Sequence, residues 1–358
     1  MISYIYWNPK KEIFTIPIVN YPIVWYSVLF LIGFVFGYLI FQAVLRRYFY
    51  LFLDITEKDI ISYDLLIQDL ITPKNDDQKI IAKKDFKKNE SKDSVLKKIN
   101  AFISSSVKKR LFLENAFSES ILTTKKKIIL ITDKLMVYMI VATVIGARLG
   151  HLIFYEKPEY YLKNPLNIFK VWQGGLASHG AAVAILIGLF LFCRELKKYS
   201  PKITYVHLLD FICPSVAFAG FCIRVGNFIN QEIIGNPTKV FWAVVFGNPQ
   251  DGSEIVPRHP VQLYEAFFYL SVFFLLFFLS RKTYFLIKEG KLFSIFLISV
   301  FSFRFIIEFL KVKLSYVLDE SFLSMGQYLS IPFIIIGFGF MFWDKLKKLF
   351  LEKETDIH

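Results

Sequence analysis

Residues 207–235 read HLLDFICPSVAFAGFCIRVGNFINQEIIG. The stretch from His207 to Cys222 is apolar enough to lie in a bilayer, and it runs straight into Arg224, Asn227, Asn230 and Glu232. An arginine at a helix centre in hydrocarbon costs about 2.5–3.5 kcal/mol on insertion scales, so one that is retained in or beside a membrane helix reads as functional. Its positive charge selects an anionic headgroup as partner. The stretch therefore points to a membrane helix that ends in a polar site.

The rest of the chain agrees with a membrane class. Hydrophobic residues make up 55% of the 358, mean hydropathy is +0.46 and there are 40 phenylalanines, whereas a soluble domain stays nearer about 45–50% apolar. The net charge of +13 would suit nucleic acid if it were pooled. It is segregated between loops instead, which is a topology signal, and no nucleic-acid partner is expected. Cys193, Cys213 and Cys222 lie in apolar runs without CxxC spacing, so neither a disulfide framework nor a metal site is expected.

Runs close to the roughly 20 apolar residues that cross about 30 Å of hydrocarbon occur at about 22–45, 135–155, 179–193, 205–224, 262–280, 292–310 and 327–343. The fold class expected is an all-α polytopic membrane protein of about seven transmembrane helices. The third run is short unless GGLASHG, residues 174–180, enters the membrane with it. No cleavable signal peptide is expected, because MISYIYWNPKKEIF lacks the basic-then-apolar order.

Lysine and arginine set the orientation. The alternate segments 46–134, 194–204, 281–291 and the tail after 344 carry 19, 4, 4 and 4 of them, 31 of the 43 in all. The other side carries nine, at Lys10, Lys11, Lys157, Lys163, Lys170, Lys239, Arg258, Lys311 and Lys313. The basic side should be cytoplasmic, with the amino terminus outside and the carboxyl terminus inside. Arg148, Arg224 and Arg304 remain, embedded in spans or at their ends.

Three regions are expected: 1–49, an outer amino terminus and the first span; 50–134, a Lys-rich cytoplasmic insertion; and 135–358, the six-helix catalytic region with an outer loop at 225–261. The insertion, typified by KNDDQKIIAKKDFKKNESKDSVLKKIN, reads as flexible or marginally helical with no buried core. ITEKDIISYDLLIQDLI within it has helical apolar spacing suited to the membrane surface. A partner-binding or anionic-lipid-binding arm is the functional reading, and a solvated loop the plainer, favoured one.

The polar motifs gather toward the outer side. GARLGHLIFY, 146–155, flanks Arg148 with glycines, and GGLASHG sets His179 among small residues, a setting that allows close approach of a bulky substrate. RHPVQLYEA, 258–266, leads into the fifth span; FRFIIEF in the sixth holds Arg304 and Glu308 at i and i+4; SMGQ, 324–327, opens the seventh. Each has a plainer reading. Arg304 and Glu308 can be a structural ion pair, Arg148 an interfacial snorkeller, and His179 a backbone hydrogen-bonder, although its glycines favour function. His151 reads as structural, and His207 and His358 carry no role.

Taken in order, WYSVLFLIGF, GARLGHLIFY, GGLASHG, GFCIRVGNFINQEIIG, RHPVQLYEA, FRFIIEF and SMGQ resemble the prolipoprotein diacylglyceryl transferases, bacterial inner-membrane enzymes. The resemblance covers about 22–45 and from about 135 to the end, and the twelve residues Arg224–Gly235 match the family signature. Two departures are visible. The insertion after the first span is longer than usual for the family, and Ala147 and Ala181 stand where glycine is common.

The resemblance implies transfer of the sn-1,2-diacylglyceryl group from phosphatidylglycerol to the lipobox cysteine thiol of a prolipoprotein signal peptide, forming a thioether and releasing glycerol 1-phosphate. Such a reaction needs a base near the thiol and cations on the departing phosphate, and it calls for no metal and no cofactor. The resemblance makes Arg224 and Arg304 the phosphate-binding catalytic residues, His179 the candidate base and Tyr26 a residue lining the site. Asn227, Glu232 and Gly235 would organise the loop after Arg224, Glu308 would orient Arg304, and Arg148 would join the substrate-binding set. An anion transporter and a membrane scaffold are the rival classes. Neither accounts for the polar signature, and no internal repeat supports a transporter.

Overall fold

The computed structural model describes residues 4–18, 20–52, 54–82, 86–104, 106–156, 165–170, 175, 177–312 and 323–342. Lys157, Lys163, Lys313, the tail after 344, and Gly174 and Leu176 of GGLASHG lie outside the described residues. In chain order the helices are α1 Trp25–Phe49, α2 Tyr63–Ile71, α3 Asp76–Ala82, α4 Lys92–Ile103, α5 Val107–Ala116, α6 Thr124–Phe154, α7 Ser178–Leu196, α8 Tyr205–Asn230, α9 Val261–Leu279, α10 Thr283–Ile287, α11 Lys291–Ile307 and α12 Met325–Met341. Among the described residues, five short strands accompany them: β1 Ile5–Trp7, β2 Glu12–Ile16, β3 Tyr21–Val24, β4 Val244–Phe246 and β5 Pro257–Arg258.

Among the described residues, six helices are long and apolar enough to cross a membrane, namely α1, α6, α7, α8, α9 and α11 with the 3₁₀ turn Glu308–Leu310 that follows it. The expected seventh span is α12, a shorter apolar helix of 17 residues. Their outward faces are oily, with Leu31, Val35, Leu39, Ile140, Val141 and Val144 all exposed. That inversion of the soluble pattern suits lipid as solvent, and the chain is a helical multi-pass membrane protein. The second span begins at Thr124 rather than 135; its 31 residues reach about 46 Å at about 1.5 Å per residue, beyond the roughly 30 Å of hydrocarbon. Its first turn, with Lys125, Lys126 and Lys127, therefore projects outside the apolar layer.

The chain divides into two compact units, Met1–Val44 with Leu209–His358, and Leu45–Leu208. In the first, α8 is the most interior span, with 56% of its apolar window buried against 28% for α1. Small residues let α1 and α8 approach, since Ser215 Oγ donates to the Gly37 carbonyl at 2.9 Å. Asp210, fully buried, accepts from the backbone N–H of Gly290 at 2.6 Å and of Phe293 at 2.7 Å. It thereby satisfies orphan donors at the start of α11. Beyond the signature, β1 pairs in parallel with β4, which pairs antiparallel with β5, and β2 and β3 form a separate antiparallel pair. Trp7 stacks on Phe228 at 4.6 Å between centroids and donates Nε1–H to the Phe228 carbonyl at 3.0 Å, tying this small sheet to the end of α8.

The second unit corrects the expectation of an insertion without a core. Leu66, Leu70, Ile81, Val95, Ile99, Ile103, Leu113, Phe117 and Ile121 form one buried cluster contributed by α2 to α5 and the turn after α5. On α4, Val95, Leu96, Ile99 and Ile103 lie on one face between lysines, the i, i+4 spacing of an amphipathic helix. Ser62, Ser91 and Thr123 cap α2, α4 and α6 by accepting from the backbone N–H of Leu65, Ser94 and Lys126. Two buried ion pairs sit at its base, Lys127 Nζ–Asp59 Oδ1 at 2.7 Å and Arg110 Nε–Glu114 Oε1 at 2.6 Å. The insertion is a folded helical subdomain.

In the same unit, Gly146 and Gly150 of GARLGHLIFY and Gly180 of GGLASHG pack α6 against α7. A Cβ on Gly150 would stand 2.7 Å from the Gly180 Cα, and one on Gly146 2.7 Å from the Gly180 carbonyl. Only glycine lets α6 and α7 cross so closely.

Candidate functional site

The signature helix α8 carries Arg224 on its buried side. Arg224 Nε lies 3.3 Å from Glu265 Oε2, Nη1 stands 3.5 Å from Asn227 Oδ1, and the guanidinium carbon is 5.9 Å from the centre of the Tyr269 ring. Glu265 and Gln262 are fully buried on α9. A carboxylate at that depth is tolerated only when paired, and its other oxygen, Oε1, accepts from Lys311 Nζ at 2.9 Å.

Lys311 also reaches Glu308 Oε2, at 3.2 Å. This corrects the expectation that Glu308 orients Arg304. Helix α11 ends at Ile307 and Glu308 begins a 3₁₀ turn, so the carboxylate turns toward Lys311, and Arg304 and Glu308 form no ion pair. The Glu308 carboxylate packs over Gly326, where a Cβ would sit 2.6 Å from Glu308 Cδ, beside the start of α12. There Ser324 and Gln327 form a capping box. Arg304 itself is half-buried, and its guanidinium has no partner among the described residues.

The loop after α8 is held from several directions. Asn227 Nδ2 donates to Glu232 Oε1 at 2.6 Å, Asn230 Nδ2 stands 3.4 Å from the same oxygen, and Gln262 Nε2 donates to the Glu232 carbonyl at 2.9 Å. Gln231 and Ile233 both take φ of 56°. For a β-branched residue such as Ile233 this conformation is strained, the kind of cost that persists only where surroundings enforce it. Gly235 pairs with Lys311, flanked by Val312 N–H to the Ile234 carbonyl at 3.2 Å and Asn236 N–H to the Leu310 carbonyl at 2.8 Å. The signature loop thus grips the backbone on either side of Lys311. Tyr26, in the first turn of α1, packs on Gly226, where an added Cβ would lie 2.8 Å from its ring.

The remaining expected residues belong to the other unit. His179, exposed in the first turn of α7, lies 5.1 Å from the Phe154 ring and 5.7 Å from Tyr155. Arg148 is buried and spends its donors on the carbonyls of Ile168 at 2.9 Å, Gly175 at 3.2 Å and Asn167 at 2.5 Å. That is the work of a residue holding the chain before α7. His151 Nε2 stands 3.2 Å from Glu156 Oε1, and its ring stacks on Tyr155.

Sequence reading missed Glu265, Gln262 and Lys311. A signal for two of them was present, because Gln262 and Glu265 interrupt an otherwise apolar run and share one helix face at i and i+3. Lys311 offered none, since it reads as an ordinary loop lysine.

Arg224 is paired with the buried Glu265, and Arg304 has no partner among the described residues. A family model described as prolipoprotein diacylglyceryl transferase matches residues 108–343. The phosphatidylglycerol–prolipoprotein diacylglyceryl transferase of Protochlamydia amoebophila is 38% identical over 351 residues, 94% of this chain and 94% of the relative. The proteins so named from Tolumonas auensis and Chlamydia pneumoniae are 44% and 42% identical, covering 58% and 63% of this chain and 77% and 78% of their own. With the signature, the membrane helices and these relatives in agreement, the chain belongs to the prolipoprotein diacylglyceryl transferase family.

Proposed function

We propose that this transferase moves the sn-1,2-diacylglyceryl group of phosphatidylglycerol onto the lipobox cysteine of a secreted precursor, at the outer face of a bacterial inner membrane, with its amino terminus outside and its carboxyl terminus in the cytoplasm. The cysteine sulfur attacks the glyceryl carbon that bears the phosphate ester. A C–S bond forms, the C–O bond breaks, glycerol 1-phosphate departs with the bonding pair, and the thiol proton passes to a base. Arg224 and Arg304 hold the phosphate and stabilise the charge that grows on it, which suits the guanidinium fork. Tyr26 lines the site, and Asn227, Glu232 and Gly235 keep the loop that fixes Arg224. His179 is the base, and Arg148 supports the chain that leads into its helix.

The observation that carries this reading is Arg304, a half-buried guanidinium at the end of a membrane helix that lacks a counter-ion among the described residues. A cation in that setting calls for an anion brought by the ligand. The test is the purified protein in phosphatidylglycerol vesicles with a lipobox peptide, read by mass spectrometry. The peptide should gain one diacylglyceryl group, and a Cys→Ser peptide should gain none. No gain on the cysteine peptide with folded protein would refute the assignment.

A further inference from the structure

Arg304 and Glu308 stand four residues apart, the spacing at which an arginine and a glutamate on one helix normally pair. Here they do not pair: Glu308 begins a 3₁₀ turn and its carboxylate lies against Lys311. Its ammonium lies 2.9 Å from Glu265 Oε1 and 3.2 Å from Glu308 Oε2, so one buried cation takes up two carboxylates. Glu265 then has Lys311 on one oxygen and Arg224 on the other. Lys311 is held in place through the backbone by the signature loop, at the Gly235 bridge and its two flanking hydrogen bonds.

We propose that Lys311 is a positioning residue that sequesters Glu308, and with it Glu265, so that the Arg304 guanidinium stays open to the substrate phosphate. This rests on the reading of Arg304 as a phosphate ligand. Without the ammonium, Glu308 loses its counter-ion, and the nearest replacement along the chain is Arg304. A carboxylate on Arg304 competes with the phospholipid for the same fork. Lys311 thus governs substrate affinity without touching substrate.

The test uses full-length protein in phosphatidylglycerol vesicles, with KM for phosphatidylglycerol and kcat measured separately. Lys311→Met should raise KM about tenfold or more, with a smaller fall in kcat. Adding Glu308→Gln removes the competing charge, and the double variant should recover KM to within about threefold of wild type. Lys311→Arg, which keeps a cation, should stay near wild type. A double variant as impaired as Lys311→Met, both melting at the wild-type temperature in detergent, overturns the proposal, as does a Lys311→Met with unchanged KM. If Lys311→Met lowers the melting temperature, the comparison of Lys311→Arg with the double variant decides: recovery by arginine alone means a structural role and also overturns it. Arg304→Gln is measured alongside. If it keeps wild-type KM and kcat, the underlying reading of Arg304 fails, a result distinct from failure of the double variant to recover.

Discussion

Replacing Arg224 by lysine keeps the charge and removes the fork. In the protein, the guanidinium engages Glu265, at 3.3 Å from Nε, Asn227, at 3.5 Å from Nη1, and the Tyr269 hydroxyl, and N–H groups still remain for a phosphate. A lysine ammonium is a single centre, and the fully buried Glu265 would hold it, so the phosphate would lose its donors. Two charge-assisted hydrogen bonds at about 1.5–2 kcal/mol each amount to about 3–4 kcal/mol. At about 1.4 kcal/mol per tenfold, that is a fall of roughly 10²–10³ in kcat/KM. The assay is diacylglyceryl transfer to a lipobox peptide in phosphatidylglycerol vesicles, with melting in detergent as a folding control. A folded Arg224→Lys enzyme within about tenfold of wild type would show that neither fork geometry nor phosphate contact at this residue matters.

Ile99→Asp places a charge in the insertion core and should abolish hydrogen-exchange protection over 92–103, while transfer stays within about tenfold, because the matched motifs lie outside it; unchanged protection would mean that the cluster around Ile99 is not a core. Lys127→Met leaves Asp59, fully buried, without its partner and should destabilise the unit by about 3–5 kcal/mol, whereas Lys127→Met with Asp59→Asn should recover much of it; equal melting of wild type and single variant would contradict the buried pair. His179→Gln should slow transfer yet keep phospholipid binding, and raising the pH from about 7 to 9 should rescue it relative to wild type, as a thiol of ordinary pKa near about 8.5 deprotonates unaided; loss of lipid binding, or no relative gain, removes His179 from the role of base. A topology reporter near residue 90 or after 358 should read as cytoplasmic and one near 250 as exported, and export near 90 would invert the scheme.

Much of the molecule was legible in the amino-acid sequence because its determinants are local. Apolar runs long enough for a bilayer mark the membrane helices whatever they pack against, and the cost of an arginine in hydrocarbon marks Arg148, Arg224 and Arg304 by their place in those runs alone. The twelve-residue signature likewise names its own loop. What the chain could not reveal are pairings between residues distant in sequence. The insertion looked coreless because its apolar residues are dispersed among lysines, and only folding of α2 to α5 gathers Leu66, Ile99 and Leu113 into one interior. The i, i+4 rule assigned Glu308 to Arg304, but the helix ends one residue too soon and Lys311, held by the signature loop, takes the carboxylate instead. Glu265, unremarked beside more conspicuous arginines, becomes the anion between Arg224 and Lys311. Which cations are neutralised and which keep free donors is decided by Coulomb interactions across distances of about 3 Å in a low-dielectric interior, and those distances exist only in the folded chain.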